Sequence, residues 1–176
     1  VDAALFDEAL SALDAQWRGL SLTMPLKEVA FRAAAEHDTH AELTGAVNTV
    51  LLGDGIRGFN TDVGGIVDAL AEHDLAGAPR VRILGAGATA ASALVATAES
   101  GAQRVEVRAR RPERGAPLIA LGERLGIPVS VTAFDDAAAD VDLTIATLPS
   151  GTALPEHTVE RLSDAGGALF DAAYAP

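Results

Sequence analysis

The chain contains no cysteine, one methionine, one tryptophan and one tyrosine, and aromatic residues make up 4% of its 176 positions. Without cysteine there is no disulfide scaffold, no thiolate nucleophile and no thiolate metal site. The four histidines are scattered with no HxxxH pair, so no metal is expected. Positive charge is scarce as well: 13 Lys+Arg against 25 Asp+Glu leave a net charge of −12, which repels polyanions. Neither nucleic acid nor an anionic membrane is an expected partner. No apolar run approaches the roughly 18 residues that a membrane span needs. No basic-then-apolar leader opens the sequence, so a soluble, cytoplasmic chain is expected. What remains is ordinary: 49% apolar and 22% charged residues, with 17 Gly and 8 Pro, fit one or two small globular domains.

Lysine is the rarest of the charged types. Lys27 is the single lysine, and the other twelve basic residues are arginine. The distinction is chemical, because a lysine can shift its pKa and exchange a proton and an arginine in effect cannot.

Leu5, Phe6, Ala9, Leu10 and Leu13 recur at helical spacing and predict an amphipathic helix between Val1 and Trp17. A short strand over Gly19–Thr23 is followed by Met24-Pro25, which reads as a helix start with proline in the first turn, running to about His37. Ala46–Leu52 and Ile56–Asn60 around Gly53-Asp54-Gly55 predict a β-hairpin. A helix from Asp62 to about His73 follows, with Thr61 or Asp62 as its expected cap.

The pattern changes near Gly77-Ala78-Pro79, which places a domain boundary between residues 1–76 and 77–176. Beyond it, β-rich runs at Val81–Leu84, Arg104–Ala109, Pro128–Val131, Asp142–Ala146 and Ala168–Asp171 are separated by helical, Ala- and Leu-rich segments. Strand alternating with helix predicts an α/β fold with a parallel sheet. The first part, with a lone strand, a hairpin and three helices, can hardly complete a core alone, so elements are expected to be missing from both ends.

Directly after Val81–Leu84 stands Gly85-Ala86-Gly87-Ala88-Thr89-Ala90, a G-x-G-x-x-A turn opening a helix. In the dinucleotide fingerprint the first glycine allows the tight turn, the second leaves room for a pyrophosphate, and the small third residue lets helix and strand approach. The phosphates then meet unpaired N–H groups and the positive end of the helix dipole. The second strand runs into Arg108-Ala109-Arg110-Arg111-Pro112-Glu113-Arg114, and five of the 13 basic residues lie between Arg104 and Arg114. Forked guanidinium groups suit a 2′-phosphate, so NADP is the expected cofactor, with Arg110, Arg111 and Arg114 as its clamp. Glu106 sits inside the strand rather than at its tip, where an NAD site would present an acid.

Two polar residues in the first part stand against local preference. Lys27 lies in the first turn of its helix, where the dipole disfavours a cation by about 0.3–1 kcal/mol. Asn48 sits in a strand-like Val47-Asn48-Thr49-Val50, where asparagine is depleted. With Thr23 and Asp62 they form a set of short polar groups at strand ends, suited to a polyhydroxylated substrate.

In these segments the chain resembles the shikimate dehydrogenase family. The matching stretches are Leu22–Lys27, Gly45–Thr49, Gly58–Asp62, Leu84–Ala88, the Arg110 segment and Asp171–Pro176, in the family's order. The resemblance implies a partial α/β substrate-binding domain followed by an NADP-binding Rossmann-like domain. It implies NADPH-dependent, reversible reduction of 3-dehydroshikimate to shikimate, on the chorismate route to aromatic amino acids. Lys27 and Asp62 would be the catalytic pair, with Thr23, Asn48 and Tyr174 on the substrate. Gly85, Ala86, Gly87, Ala88, Thr89, Ala90, Ala109, Arg110, Arg111, Arg114, Thr147 and Ala172 would meet the cofactor. A monomer or homodimer is expected.

The chain departs from the family in lacking the opening strand with its serine pair and the closing helices. Ala88 and Ala109 also stand where many relatives have Gly and Asn. Two other readings stay open: a quinate/shikimate dehydrogenase that prefers NAD, and a nucleotide-binding relative or fragment without catalysis.

Overall fold

The computed structural model describes residues 1–173. The chain divides into two compact units, 1–63 and 64 onward, so the division falls inside a helix. The composition change at Gly77 lies further along, in the connection that leaves that helix.

The first unit opens with a 3-10 turn, Ala3–Leu5, capped by Asp2, and helix α1, Phe6–Ser11. This helix is shorter than the apolar spacing predicts. The Asp14 carboxylate takes the Gln16 N–H at 3.0 Å, which offers the backbone a turn in place of another helical turn. Strand β1, Gly19–Ser21, leads to helix α2, Lys27–Ala33, then strand β2, Glu36–His37, helix α3, Thr39–Thr44, and the hairpin of β3, Thr49–Leu51, and β4, Arg57–Phe59.

The sheet order is β1-β3-β4-β2, with β1 and β4 antiparallel to β3 and β2 parallel to β4. Phe6, Ala30, Ala41, Val47 and Val50 form its buried core, packed by Leu10, Leu20, Leu26 and Val29 among others. Two corrections apply. Pro25, which follows a cis peptide, lies in a turn closed by Leu26 N–H to the Thr23 carbonyl at 2.8 Å, and α2 starts at Lys27 rather than at the proline. Helix α3 was not foreseen, although Asp38 caps it through the Ala41 N–H and Gly45 ends it at φ 65°.

Helix α4, Thr61–Glu72, carries the chain into the second unit. There β5, Arg80–Leu84, α5, Ala88–Glu99, β6, Arg104–Ala109, α6, Ala116–Leu125, β7, Val129–Ala133, β8, Leu143–Ala146, α7, Glu156–Asp164, and β9, Ala168–Asp171, follow in turn. All five strands are parallel, in the order β7-β6-β5-β8-β9. The chain winds outward through β6 and β7, then returns to lay β8 on the other side of β5. The end of the sheet between β5 and β8 is thus a topological switch point, where open parallel sheets bind ligands. Among the described residues no helix is long and apolar enough to cross a membrane.

Val81, Ile83, Val105, Val107, Leu143 and Ile145 are buried on one face of this sheet. Helix α6 packs on that face, Gly115 against Val131 and Gly122 against Val129. The other face is unexpectedly polar. Arg82 and Arg108 are fully buried there, and both reach Glu106: Arg82 Nε lies 2.8 Å from one carboxylate oxygen, and Arg108 Nη2 contacts the other.

The reason lies in the connection from β7 to β8, where the expected helix is absent. Without a helix its carbonyls need outside donors. Arg108 donates to the carbonyls of Ala133, Asp136 and Ala137 and Arg82 to that of Ala139, while Arg82 also reaches the carbonyls of Leu162 and Ala165 at the C-terminal end of α7. Two guanidinium groups thereby do for this segment what internal hydrogen bonds do for a helix.

Just beyond it, Arg80 grips Asp142 through Nε at 2.9 Å, Nη2 at 2.7 Å and its backbone N–H at 3.0 Å. The guanidinium hydrogen bonds hold the Asp142 carboxyl below its ordinary value. A carboxyl with a lowered folded pKa contributes stability above its unfolded value, about 3.9, and loses it as pH falls through the folded one. Urea midpoints of Asp142→Asn are therefore expected to fall less steeply on acidification than those of the parent. Parallel curves would remove Asp142 from the acid response.

Candidate functional site

At one end of the first sheet, backbone pairing brings three chain segments side by side. Leu22 N–H donates to the Asn48 carbonyl at 2.7 Å, and Asn48 N–H to the Phe59 carbonyl at 3.0 Å. The residues just past these pairs are Thr23, Asn48 and Asn60–Asp62. Val47 N–H donates to the Lys27 carbonyl at 2.9 Å, which fixes the first turn of α2 beside them.

Lys27 Nζ lies 2.5 Å from Asp62 Oδ2, with the two side chains 12% and 24% exposed. Asn48 Nδ2 donates to the other carboxylate oxygen at 2.6 Å. The conflict read from the sequence is thereby resolved. A charge-assisted hydrogen bond contributes about 1.5–3 kcal/mol, more than the dipole cost of a cation at a helix start. Asp62, for its part, stands in the first turn of α4, where a negative charge is favoured. The result is an oriented ammonium group, partly open to solvent and close to a carboxylate.

Asn48 is itself 8% exposed, and its Oδ1 accepts from Thr61 N–H, at 3.0 Å, and from the Thr49 hydroxyl, at 3.1 Å. Thr23 is exposed in the turn after β1. Tyr174 lies outside the described residues. The cap of α4 corrects the expectation: it is neither Thr61 nor Asp62, because Asn60 Oδ1 accepts the Asp62 N–H at 3.1 Å.

The second constellation is the turn after β5. Gly85 has φ 112°, and a Cβ placed there would come within 2.6 Å of Thr147 Oγ1. Both the backbone and the side chain of this position therefore require glycine. Thr147, directly after β8, donates its N–H and its hydroxyl to the Leu84 carbonyl at 2.9 and 2.8 Å, bracing the turn across the switch point.

Ala86 and Gly87 are exposed, Ala88 and Thr89 half-buried and Ala90 fully buried. Helix α5 begins after Gly87 without a side-chain cap, an arrangement suited to an anion at its N-terminus. Arg110, Arg111 and Arg114 are exposed just past β6, while Ala109 is buried.

Of the five arginines counted in that stretch, two drop out. Arg108 is turned into the interior and Arg104 stands at the opposite end of β6. Both Glu106 oxygens are taken by arginine, so this acid is not presented to a ribose.

Ala172 N–H donates to the Ala146 carbonyl at 2.9 Å, and a cavity of about 310 Å³ lies at the ends of β8 and β9, lined by Ala146, Leu148, Ser150, Thr152 and Asp171 among others. A larger one, about 460 Å³, opens at the hairpin turn near Arg18 and Asp54 and contains none of the residues singled out.

A model of the shikimate dehydrogenase substrate binding domain matches residues 1–50. Shikimate dehydrogenase (NADP(+)) of Bordetella avium is 36% identical over 167 residues, covering 90% of this chain and 55% of the relative. The Aeropyrum pernix enzyme of the same name is 35% identical over 163 residues, covering 90% and 59%. The crystal structure of Mycobacterium tuberculosis shikimate dehydrogenase superposes with a TM-score of 0.79 at 30% identity, covering 97% of this chain and 74% of that one. That of Thermus thermophilus shikimate 5-dehydrogenase in complex with shikimate gives 0.79 at 30% identity, covering 100% and 65%. The chain spans somewhat over half the length of these curated relatives.

Proposed function

The chain belongs to the shikimate dehydrogenase family, and from that premise we propose that it serves the reversible, NADP-linked reduction of 3-dehydroshikimate to shikimate in aromatic amino-acid biosynthesis. The observation that carries this reading is the Lys27–Asp62 contact of 2.5 Å, with Asn48 on the second carboxylate oxygen.

Residues 1–76 are assigned to substrate and 77–176 to cofactor. The second part fits a dinucleotide: Gly85 leaves no space for a side chain, α5 opens without a side-chain cap, and three exposed arginines follow β6. The glycine turn from Gly85 to Ala90, with Ala109, Thr147 and Ala172, would hold the dinucleotide, and Arg110, Arg111 and Arg114 its 2′-phosphate. Bound there, the cofactor supplies or takes up the hydride.

The chain's own residues do the rest. As the ketone is reduced, negative charge grows on its oxygen, and the Lys27 ammonium stabilises that charge and delivers the proton. Asp62 holds the ammonium in place and can accept a hydrogen bond from a neighbouring substrate hydroxyl. Asn48 keeps Asp62 oriented, and Thr23 and Tyr174 complete the hydroxyl contacts. A cytoplasmic monomer or homodimer goes with this assignment.

The test is shikimate-dependent reduction of NADP⁺, followed by absorbance, beside the same assay with NAD⁺. NADP⁺ is expected to be preferred. Arg110→Ala with Arg114→Ala should raise KM for NADP⁺ by about 10²–10⁴-fold, since each charge-assisted bond contributes about 1.5–3 kcal/mol, and leave KM for NAD⁺ unchanged. Absence of shikimate-dependent turnover overturns the assignment. Equal losses with both cofactors would overturn the phosphate clamp alone.

A further inference from the structure

An aspartate in the first turn of a helix commonly spends its carboxylate on the free N–H groups there. In α4 that duty falls to two other side chains. Thr61 N–H goes to Asn48 Oδ1 at 3.0 Å and Asp62 N–H to Asn60 Oδ1 at 3.1 Å, which leaves both Asp62 oxygens for Lys27 and Asn48.

Asn60 is 1% exposed and is anchored at both ends of α3. Its Nδ2 donates to Thr44 Oγ1 at 2.8 Å, and that hydroxyl donates in turn to the His40 carbonyl at 2.7 Å. Its backbone N–H donates to Asp38 Oδ1 at 3.2 Å, the oxygen that also caps α3 through Ala41 N–H at 2.7 Å.

We infer that Asn60 is the positioning residue of the Lys27–Asp62 pair: it fixes the start of α4 against α3, so that the Asp62 carboxylate stays committed to the ammonium. The amide is required because this one buried side chain must both accept, from Asp62 N–H, and donate, to Thr44. A carboxylate at position 60 has no proton for Thr44 and puts a buried negative charge two residues from the Asp62 carboxylate. The inference rests on the dehydrogenase assignment for its effect on turnover, and on geometry alone for its effect on Lys27.

Two measurements keep those apart. Because Lys27 is the single lysine, protein labelled with [ε-¹³C]lysine gives one lysine side-chain signal. Asn60→Asp and the milder Thr44→Val are expected to move that signal, as Asp62→Asn does, while Thr44→Ser and the hairpin substitution Asp54→Asn leave it in place. In the assay, Asn60→Asp should lower kcat by about 100-fold, the scale of a displaced catalytic group, with KM for NADP⁺ unchanged. Thr44→Ser should retain parental turnover.

An unmoved lysine signal in folded Asn60→Asp and Thr44→Val overturns the inference whether or not the parent turns over shikimate. So does a loss of kcat matched by an equal rise in KM for NADP⁺. A parent without shikimate-dependent turnover, combined with a moved signal, overturns the assignment and leaves the positioning role standing.

Discussion

Shikimate-dependent NADP⁺ reduction is expected to fall by about 10²–10⁴-fold in Lys27→Ala, the usual contribution of a positioned acid–base group, with NADP⁺ affinity nearly unchanged. The separation follows from where the groups stand. Lys27 belongs to the first unit, and the glycine turn and exposed arginines to the second. Lys27→Arg should not restore turnover. Guanidinium keeps the charge but does not release its proton near neutral pH, and its fork does not reproduce a single ammonium 2.5 Å from Asp62. Near-parental turnover in Lys27→Ala would remove this residue from the mechanism.

Glu106→Ala is expected to produce the largest loss of stability, about 3–5 kcal/mol, because it strands two fully buried guanidinium groups without their countercharge. Against a total of about 5–15 kcal/mol for a typical domain, this is enough to unfold a large fraction of the protein on mild heating. Urea unfolding of the variant beside the parent measures it.

Buried ion triads can often be replaced by apolar residues at little cost. Here the replacement should fail. Arg82 and Arg108 also donate to the carbonyls of Asp136, Ala137, Ala139 and Leu162, and a leucine removes those donors. A triple apolar variant as stable as the parent would show that the carbonyls find other partners.

The parts of the fold legible in the sequence are those decided by local chemistry. The strands Arg104–Ala109 and Ala168–Asp171 coincide with their expected limits, and the glycine turn stands between a strand and a helix as its spacing requires. Lys27 drew attention by breaking the dipole rule, and its partner Asp62 supplies the compensation from 35 positions away.

What the sequence did not reveal depends on contacts between distant segments. Arg108 reads as one of the basic residues of the run that ends at Arg114, and nothing sets Arg82 apart within Val81–Leu84, yet both are buried under a segment without a helix that no local pattern announces. Asn60, Thr61 and Asp62 are all acceptable caps by residue type. Which of them caps is settled by Thr44 and Lys27, one on each side. For α3 the signal was present in Asp38 and Gly45, but six residues with a single buried position carry too little periodicity to be seen.

The central claim is that the Lys27 ammonium, oriented by Asp62, is the group that meets the substrate. Its most direct test follows the single lysine signal of [ε-¹³C]lysine-labelled protein while shikimate is added, with the ligand's own signals reporting binding. The account predicts a saturable shift of the lysine signal in the parent that tracks shikimate binding. A lysine signal that stays fixed while shikimate binds would contradict it.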